Sequence, residues 1–489
     1  METLHRLDYI SVIIYMVLIA GVGILFGWFV KDIKDYFKGG NTIPWVMGGV
    51  SNFMGLFSTF VFVAYAGIAY SDGLVGVTVL WCTVLPGIVM ILFFARKWLR
   101  SGIITPVEYL EKRFNAPVRQ VFSWAGIGMR FLDNMVRLYA IGIFIMAATP
   151  LNFFQAIVIA GAIITLFTIV GGVWAVVVID TLQFVVLIFS ACILVVLAWD
   201  AVGGLDSLMA SHPGHFKWFS GVKGQPLWLI AYYIMVIIKY NGNWIFIQRF
   251  YSVKDEKSSV KLGLLTAALF FIFPLIFLFP AIAAIEILPN LPDPEMAYVS
   301  TATNLLPPGL MGFMIAAMFS ATMSSLNSEY NVMSGVLTND IYKRIFRPDK
   351  SDIHYVWVAR ANILLIGLIM MIGALFVGQL GGAFEANKLL TGIFAIPIAI
   401  PLIFGLALRK PNPISAIVTL IVGIITGLGL NLIEGVSWEI ATLTVIGVCL
   451  MTFVTSGLIK KNNPQYQERV NEFFNKINRI KPGHPGFVR

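Results

Sequence analysis

Positions 320–329 read Ser-Ala-Thr-Met-Ser-Ser-Leu-Asn-Ser-Glu inside an otherwise apolar stretch. Hydroxyl and amide oxygens are hard ligands, suited to a small hard cation and poorly suited to a thiophilic metal. Ser324 and Ser325, joined by backbone carbonyls from an interrupted helix, supply the donors of a sodium cage of about five oxygens. A single serine or threonine commonly bonds back to its own helix. It is the density of the cluster that favours a cation.

Ionisable residues in apolar runs are the second set of candidates, because each must be paired or functional. Asp133 and Arg137 stand one helical turn apart. Two readings stand: mutual neutralisation, or a planar guanidinium fork offered to the carboxylate of a solute. Asp180 lies in a long apolar run, where a bound cation or a nearby lysine must relieve the cost of its charge, and the cation is favoured. Lys239 is open to three readings: partner of Asp180, solute contact, or a side chain snorkelling to the interface. It is followed by Tyr240-Asn241-Gly242-Asn243 and Trp244, a turn-forming run that is expensive in a membrane unless it faces water or a ligand.

The chemistry of other classes is missing from the pattern. Cys82, Cys192 and Cys449 fall singly in apolar segments with no paired spacing, and the five histidines read as lying in loops, at a helix end or in the terminal tail. No HExxH, GxSxG or paired acids suggest an enzyme. The net charge of +9 is spread in short clusters between apolar blocks, a topology signal and not a nucleic-acid face.

The elements that must hold these residues follow from composition. Hydrophobic residues make up 58% of 489 and charged residues 12%, with a mean hydropathy of +0.85. Apolar blocks of membrane-crossing length predict about thirteen spanning helices. They cover 8–30, 45–70, 74–95, 118–148, 154–170, 173–199, 228–247, 263–287, 309–336, 356–377, 389–408, 414–433 and 438–458. The first run opens with Asp8 and is read as a retained helix, too long for a signal peptide.

Two spans look interrupted. The second carries Gly48, Gly49, Ser51, Asn52, Gly55, Ser58 and Thr59, and the seventh carries the run from Lys239 to Asn243. They are five spans apart, the spacing of an inverted repeat of five plus five helices whose first helices break to form the site. Glycines and serines also serve close helix packing, and for the second span alone the two readings stay level. The breaks bring Asn52, Asn243 and Trp244 forward as solute contacts beside Arg137 and Lys239.

Lysine and arginine set the expected orientation. The connections with Lys31, Lys34 and Lys38; Arg96 to Arg113; Arg249 to Lys257; Lys343 to Lys350; Arg409 and Lys410; and Lys460 and Lys461 alternate with basic-poor ones. The positive-inside rule assigns the basic side to the cytoplasm, with the N-terminus outside and the tail inside. The segment from Gln465 onward reads as a short surface helix followed by a disordered Pro/Gly end.

With these residues in place, the chain resembles the sodium/solute symporter family, which includes sodium-coupled glucose, proline and sialic acid carriers. The resemblance spans 8–458. It is carried by Asp-Tyr-Phe-Lys-Gly-Gly at Asp35 to Gly40, the run from Thr105 to Phe114, Gly171-Gly172 with Asp180 and Gln183, Gln248-Arg249, and Ala316-Ala317 through Ser324-Ser325 to Tyr342. It implies an all-α fold with a LeuT-like core of ten helices, spans two to eleven, one helix before and two after. It also implies a primary sodium site at the Met54 and Phe57 carbonyls, the Ala321 carbonyl and the Ser324 and Ser325 hydroxyls.

Family members that use a second sodium add ligands at positions matching Asp180, Asn327 and Ser328. Here Asn327 replaces a common serine and Ile179 a common threonine or serine, so the second ion stays open. Arg137 falls near the position where the sialic acid carriers hold a carboxylate, and Lys239 falls where the sugar carriers place a tyrosine.

The resulting expectation is a sodium-coupled symporter of a small polar solute, a sugar, sugar acid or other carboxylate, working by alternating access. The closest rival is a proton-coupled carrier of the same fold, ahead of a sensor or a channel. The expected organisation is an N-terminal helix and loop at 1–44, repeats at 45–200 and 226–410 flanking an outer loop at 201–225, two further helices at 411–460, and a cytoplasmic tail at 461–489. A monomer in contact with lipid, in the plasma (inner) membrane and without nucleic acid, completes the reading.

Overall fold

The computed structural model describes residues 5–27, 39–170, 173–380, 382–459 and 464–479. Lys31, Lys34, Lys38, the start of the Asp35 to Gly40 run, Gly171-Gly172, Lys460, Lys461 and the Pro/Gly end lie outside the described residues.

The apolar runs become helices because a helix satisfies its own backbone where water is absent. In chain order they are α1 (Arg6–Gly27), α2 (Trp45–Leu56), α3 (Val61–Asp72), α4 (Val75–Ser101), α5 (Glu108–Arg113) and α6 (Ala116–Ala148). There follow α7 (Phe153–Val170), α8 (Val173–Ala201), α9 (Pro226–Asn241), α10 (Trp244–Ser252), α11 (Glu256–Ile287) and α12 (Ala297–Leu305). The chain continues through α13 (Leu310–Phe346), α14 (Asp352–Ala374), α15 (Ala383–Phe404), α16 (Pro413–Leu432), α17 (Trp438–Ile459) and α18 (Pro464–Asn478). Among the described residues, nine helices are long and apolar enough to cross a membrane, and two bent pairs raise this to eleven.

Those bent pairs are the two interrupted spans. α2 and α3 meet at 61° and α9 and α10 at 52°. Phe57 takes an extended conformation after α2, and Asn243 does the same before α10. Asn243 accepts hydrogen bonds from the backbone N–H groups of Ile245 and Phe246, so it caps the second half-helix. A bridge between Ile43 and Val253 ties the segments flanking the two breaks.

The central helix is α13, whose residues from Met314 to Val336 are all buried. It packs on α1, α2, α6 and α8, so its hydroxyl run faces protein on every side. The run from Thr105 to Phe114 forms a knot at one end of the bundle. Arg113 donates to the carbonyls of Gly405, Leu408 and Pro411, and Tyr109 bonds the Leu402 carbonyl. Arg119 joins Asp340 at 2.6 Å and Glu111 at 2.7 Å, which places the Asn339-Asp340 motif in the same network.

The tail helix α18 is more than a surface element. Val470, Phe473, Phe474 and Ile477 are buried against α4 and α5, and Phe473 stacks on Tyr109.

Candidate functional site

The last turn of α2 carries carbonyls that no longer find intrahelical donors, and the break aims them at neighbouring helices. Phe57 N–H still closes on the Phe53 carbonyl, while the Gly55 carbonyl accepts from Arg137 at 3.2 Å. Gly55 is required by close approach: a Cβ there would stand 3.0 Å from Ile245 and 3.5 Å from the Ser328 hydroxyl. Beyond the break, Thr59 pins α3 to α13. Its N–H donates to Thr322 at 3.1 Å, and its hydroxyl donates to the Met318 carbonyl at 2.6 Å.

On α13, Ser325 donates to the Thr322 carbonyl at 2.9 Å and Ser324 donates to Asp180 at 2.6 Å. Both hydroxyl hydrogens are therefore committed to protein acceptors, and the lone pairs of Ser324 and Ser325 stay open to a cation. A hydroxyl whose hydrogen is committed in this way can act towards a hard cation only as an acceptor.

Asp180, on α8, is buried and accepts from Ser51 as well as Ser324. Its counter-charge is Arg249, 3.8 Å away. Of the three readings left open for Lys239, pairing with Asp180 is not the one found: Lys239 pairs with Asp133 at 2.8 Å. Of the residues implied for a second sodium, Asp180 faces Arg249, Ser328 accepts from Arg249 at 2.8 Å, and Asn327 accepts from Thr168 of α7 at 2.6 Å. Arg249 Nη2 thus stands between Asp180 and Ser328.

A central cavity lies at the break of both bent spans. Phe57, Ser58, Arg137, Lys239, Asn243 and Asn387 supply much of its wall. Asp133 pairs with both cations, bonding Arg137 at 3.2 Å and Lys239 at 2.8 Å, and it also accepts from Asn387 at 2.9 Å. On one side the cavity is closed by Tyr65 and Tyr232, whose hydroxyls meet at 2.7 Å, with Phe384 stacked on Tyr232.

On the other side a second cavity is lined by Arg130, Asp133, Lys239, Asn243 and Trp244. There Arg130 holds buried Glu329 at 2.8 Å and lies 4.5 Å over the Trp244 ring. Gly126 leaves room for that ring, since a Cβ would come within 2.2 Å of it.

Four of the five expected solute contacts, Arg137, Lys239, Asn243 and Trp244, line these two cavities. Asn52 does not join them; its amide turns to Thr266 of α11 at 3.4 Å, because α2 presents that face to α11. Arg130 and Asn387 escaped the sequence reading. Arg130, Asp133 and Arg137 recur at i, i+3 and i+7, one face of α6, and this spacing is a usable signal. Asn387 has no local signature.

A sequence model described as the Sodium:solute symporter family matches residues 36–423. The sodium/glucose cotransporter of Vibrio parahaemolyticus is 26% identical over 463 residues, covering 86% of this chain and 84% of the relative. Among solved structures, a Na+-coupled sialic acid symporter superposes with a TM-score of 0.83 at 21% identity, covering 93% of this chain and 98% of that one. Mhp1, a nucleobase-cation-symport-1 family transporter, superposes at 0.60 with 15% identity, covering 90% and 98%.

Proposed function

The chain belongs to the sodium:solute symporter family and is a sodium-coupled symporter of a small polar solute with a LeuT-like fold; from that premise we propose that its solute carries a carboxylate, held between Arg137 and Lys239. The observation that carries this reading is the charge balance at the cavity. Asp133 alone faces both Arg137 and Lys239, while Arg130 is matched by Glu329. One cation in excess remains, and burying it is costly unless an anion completes the set. A solute carboxylate accepts a fork of donors from Arg137 and a point charge from Lys239.

Asn243 and Trp244 flank the same path, and Asn387 adds an amide. In the family, the Vibrio relative is named for glucose and the sialic acid symporter for a sugar acid. A sugar acid or a small monocarboxylate reconciles the polar lining with the charge.

Sodium, in this reading, is held by the Met54 and Phe57 carbonyls at the end of α2 and by Ala321, Ser324 and Ser325 on α13. The ion bridges the broken span to the central helix, so its binding stabilises the arrangement in which the cavity walls meet the solute. Sodium and solute then bias one equilibrium, and each raises the affinity of the other by the same factor. The closed contacts on either side of the cavity, Tyr65–Tyr232 and Arg130–Glu329, are the ones that must part in turn for alternating access.

The protein is a multi-pass membrane protein. Membership of a family of solute symporters supports the plasma membrane, and the alternation of basic connections supports an N-terminus outside and a tail in the cytoplasm. The division into two five-helix repeats at 45–200 and 226–410 is supported by the position of the two bent spans.

The test is thermal stabilisation of the purified protein by sugars, sugar acids, amino acids and monocarboxylates, each in sodium and in potassium. A carboxylate solute should raise Tm in sodium far more than in potassium. Stabilisation by a neutral sugar and by no carboxylate removes the assignment to Arg137 and Lys239.

A further inference from the structure

Two arginines share one face of α6, and the central cavity meets Arg137 but not Arg130. They stand seven residues apart with Asp133 between them, about 10 Å along the helix axis. One carboxylate cannot reach both. Two cavities follow this face, and Lys239 and Asn243 line each of them. The Arg130 cavity lies nearer the start of α6, at the end of the bundle that holds the tail helix, and the Arg137 cavity lies against Tyr65 and Tyr232. Each measures about 40 Å³, so a sugar acid enters one only as its walls part.

Glu329 engages one nitrogen of Arg130: Nη1 donates to both carboxylate oxygens at 2.8 Å. The Nε is buried and has no acceptor. Nε and Nη2 form the second edge of the guanidinium, a pair of parallel donors of the kind a carboxylate takes bidentately. A buried donor without an acceptor is costly, and this one belongs to a cation in a cavity wall. Trp244, 4.5 Å away, covers a face of the guanidinium and not an edge. Glu329 is itself buried, on α13, and accepts from the Asn243 amide at 3.4 Å.

We propose that Arg130 is a second binding position for the carboxylate of the solute, occupied after the Arg137–Lys239 position and before release, and that Glu329 is the built-in carboxylate that holds Arg130 between cycles. This rests on the carboxylate reading and extends it along the exit path. Lys239 joins the two positions: its ammonium is a point charge on a flexible stem and borders both cavities, so it stays with the carboxylate between one fork and the next. The charges close in either position. Arg130, Arg137 and Lys239 set three positive charges against Asp133 and Glu329, and a monoanionic solute brings the sum to zero. A carboxylate on the second edge of Arg130 competes for the guanidinium and loosens its hold on Glu329, so the contact between α6 and α13 parts. This side then opens to a loaded carrier and stays shut on an empty one.

The experiment compares Glu329→Gln with Arg130→Gln combined with Glu329→Gln, since both lack the closing ion pair and only the second lacks the fork. The probe is radioactive sialic acid, the sugar acid for which the structural relative is named, or, if that acid gives no Tm rise in sodium, the panel carboxylate that gives the largest. Dissociation constants are measured on the purified full chain in sodium, and turnover as sodium-driven uptake into proteoliposomes. The double variant should bind within about threefold of Glu329→Gln, because Arg137 and Lys239 remain, and should turn over about tenfold more slowly or worse, because the exit fork is gone. Equal turnover in the two variants reduces Arg130 to a gate residue and overturns the proposal. A dissociation constant that rises in the double variant as much as turnover falls places Arg130 in the first binding position and overturns it as well. If the wild type binds no carboxylate in sodium, the carboxylate reading itself fails and this inference with it. If either variant does not fold, Arg130→Lys decides, as it keeps the ion pair and lacks the fork: slow turnover with unchanged binding supports the second position, and wild-type turnover overturns it.

Discussion

The two serines side by side in the proposed sodium cage differ in the hydrogen bonds they make. Ser325 donates only to the Thr322 carbonyl of its own helix, whereas Ser324 donates to Asp180 on α8. Under the proposed cage, Ser325→Ala therefore removes one ligand oxygen and little else. We expect the sodium concentration for half-maximal uptake to rise on the order of tenfold to a hundredfold, the cost of losing one contact to a charged group, with Tm in sodium-free buffer nearly unchanged. Ser324→Ala should lose sodium affinity and also lower Tm in sodium-free buffer, since Asp180 then loses one of its donors. Equal sodium-free Tm values for the two variants would show that the Asp180 bond contributes nothing.

The element that closes the cavity on the Tyr65 side is the start of α15, and its N-terminal N–H groups are met by Glu295 from the short segment before α12. Glu295 accepts from Phe384 N–H at 3.4 Å. Burial pushes its carboxyl above the ordinary glutamate value, against the opposing pull of the Phe384 and Ala383 N–H groups, while Asp293 and Glu385 add to the rise. The native state therefore holds this proton to higher pH than the unfolded chain does. As pH climbs from the ordinary glutamate range through the raised value, the Glu295 contribution to stability is lost. Thermal denaturation of wild type and Glu295→Gln across this window checks the sign: the wild-type Tm should decline relative to the variant as pH rises. A decline of equal slope in both would place its origin elsewhere.

At the scale of the whole molecule, the tail helix fastens parts of the bundle that are distant in sequence. Arg100 on α4 donates to the Ile477 carbonyl at 2.8 Å, Arg113 on α5 donates to Tyr466 at 2.8 Å, and Arg479 pairs with Glu256 at the start of α11. Phe473 and Phe474 fill the apolar seat beneath. Replacing both by alanine removes burial worth about 3–5 kcal/mol for each ring. Because α18 follows the last span in sequence, the effect should appear as rapid proteolysis of 464–479 at a protease level that leaves the wild-type tail intact. An equally resistant double variant would mean that the polar contacts alone hold the helix.

Much of this molecule was written locally in the chain. The apolar lengths dictated membrane helices because hydrocarbon leaves the backbone no other partner, and Asn241-Gly242-Asn243 announced its break because a turn needs only neighbours in sequence. The hydroxyl run at 320–329 likewise stood out from composition alone as a polar stretch in an apolar helix, and it is buried throughout. Which charge met which was decided by the tertiary structure. Lys239 reached Asp133 across 106 positions, Arg130 reached Glu329 across 199, and Arg249 came to stand beside Asp180. Pairing of buried charges depends on how helices rotate and slide against one another, and those degrees of freedom are fixed by packing over the whole bundle, not by any one run of residues.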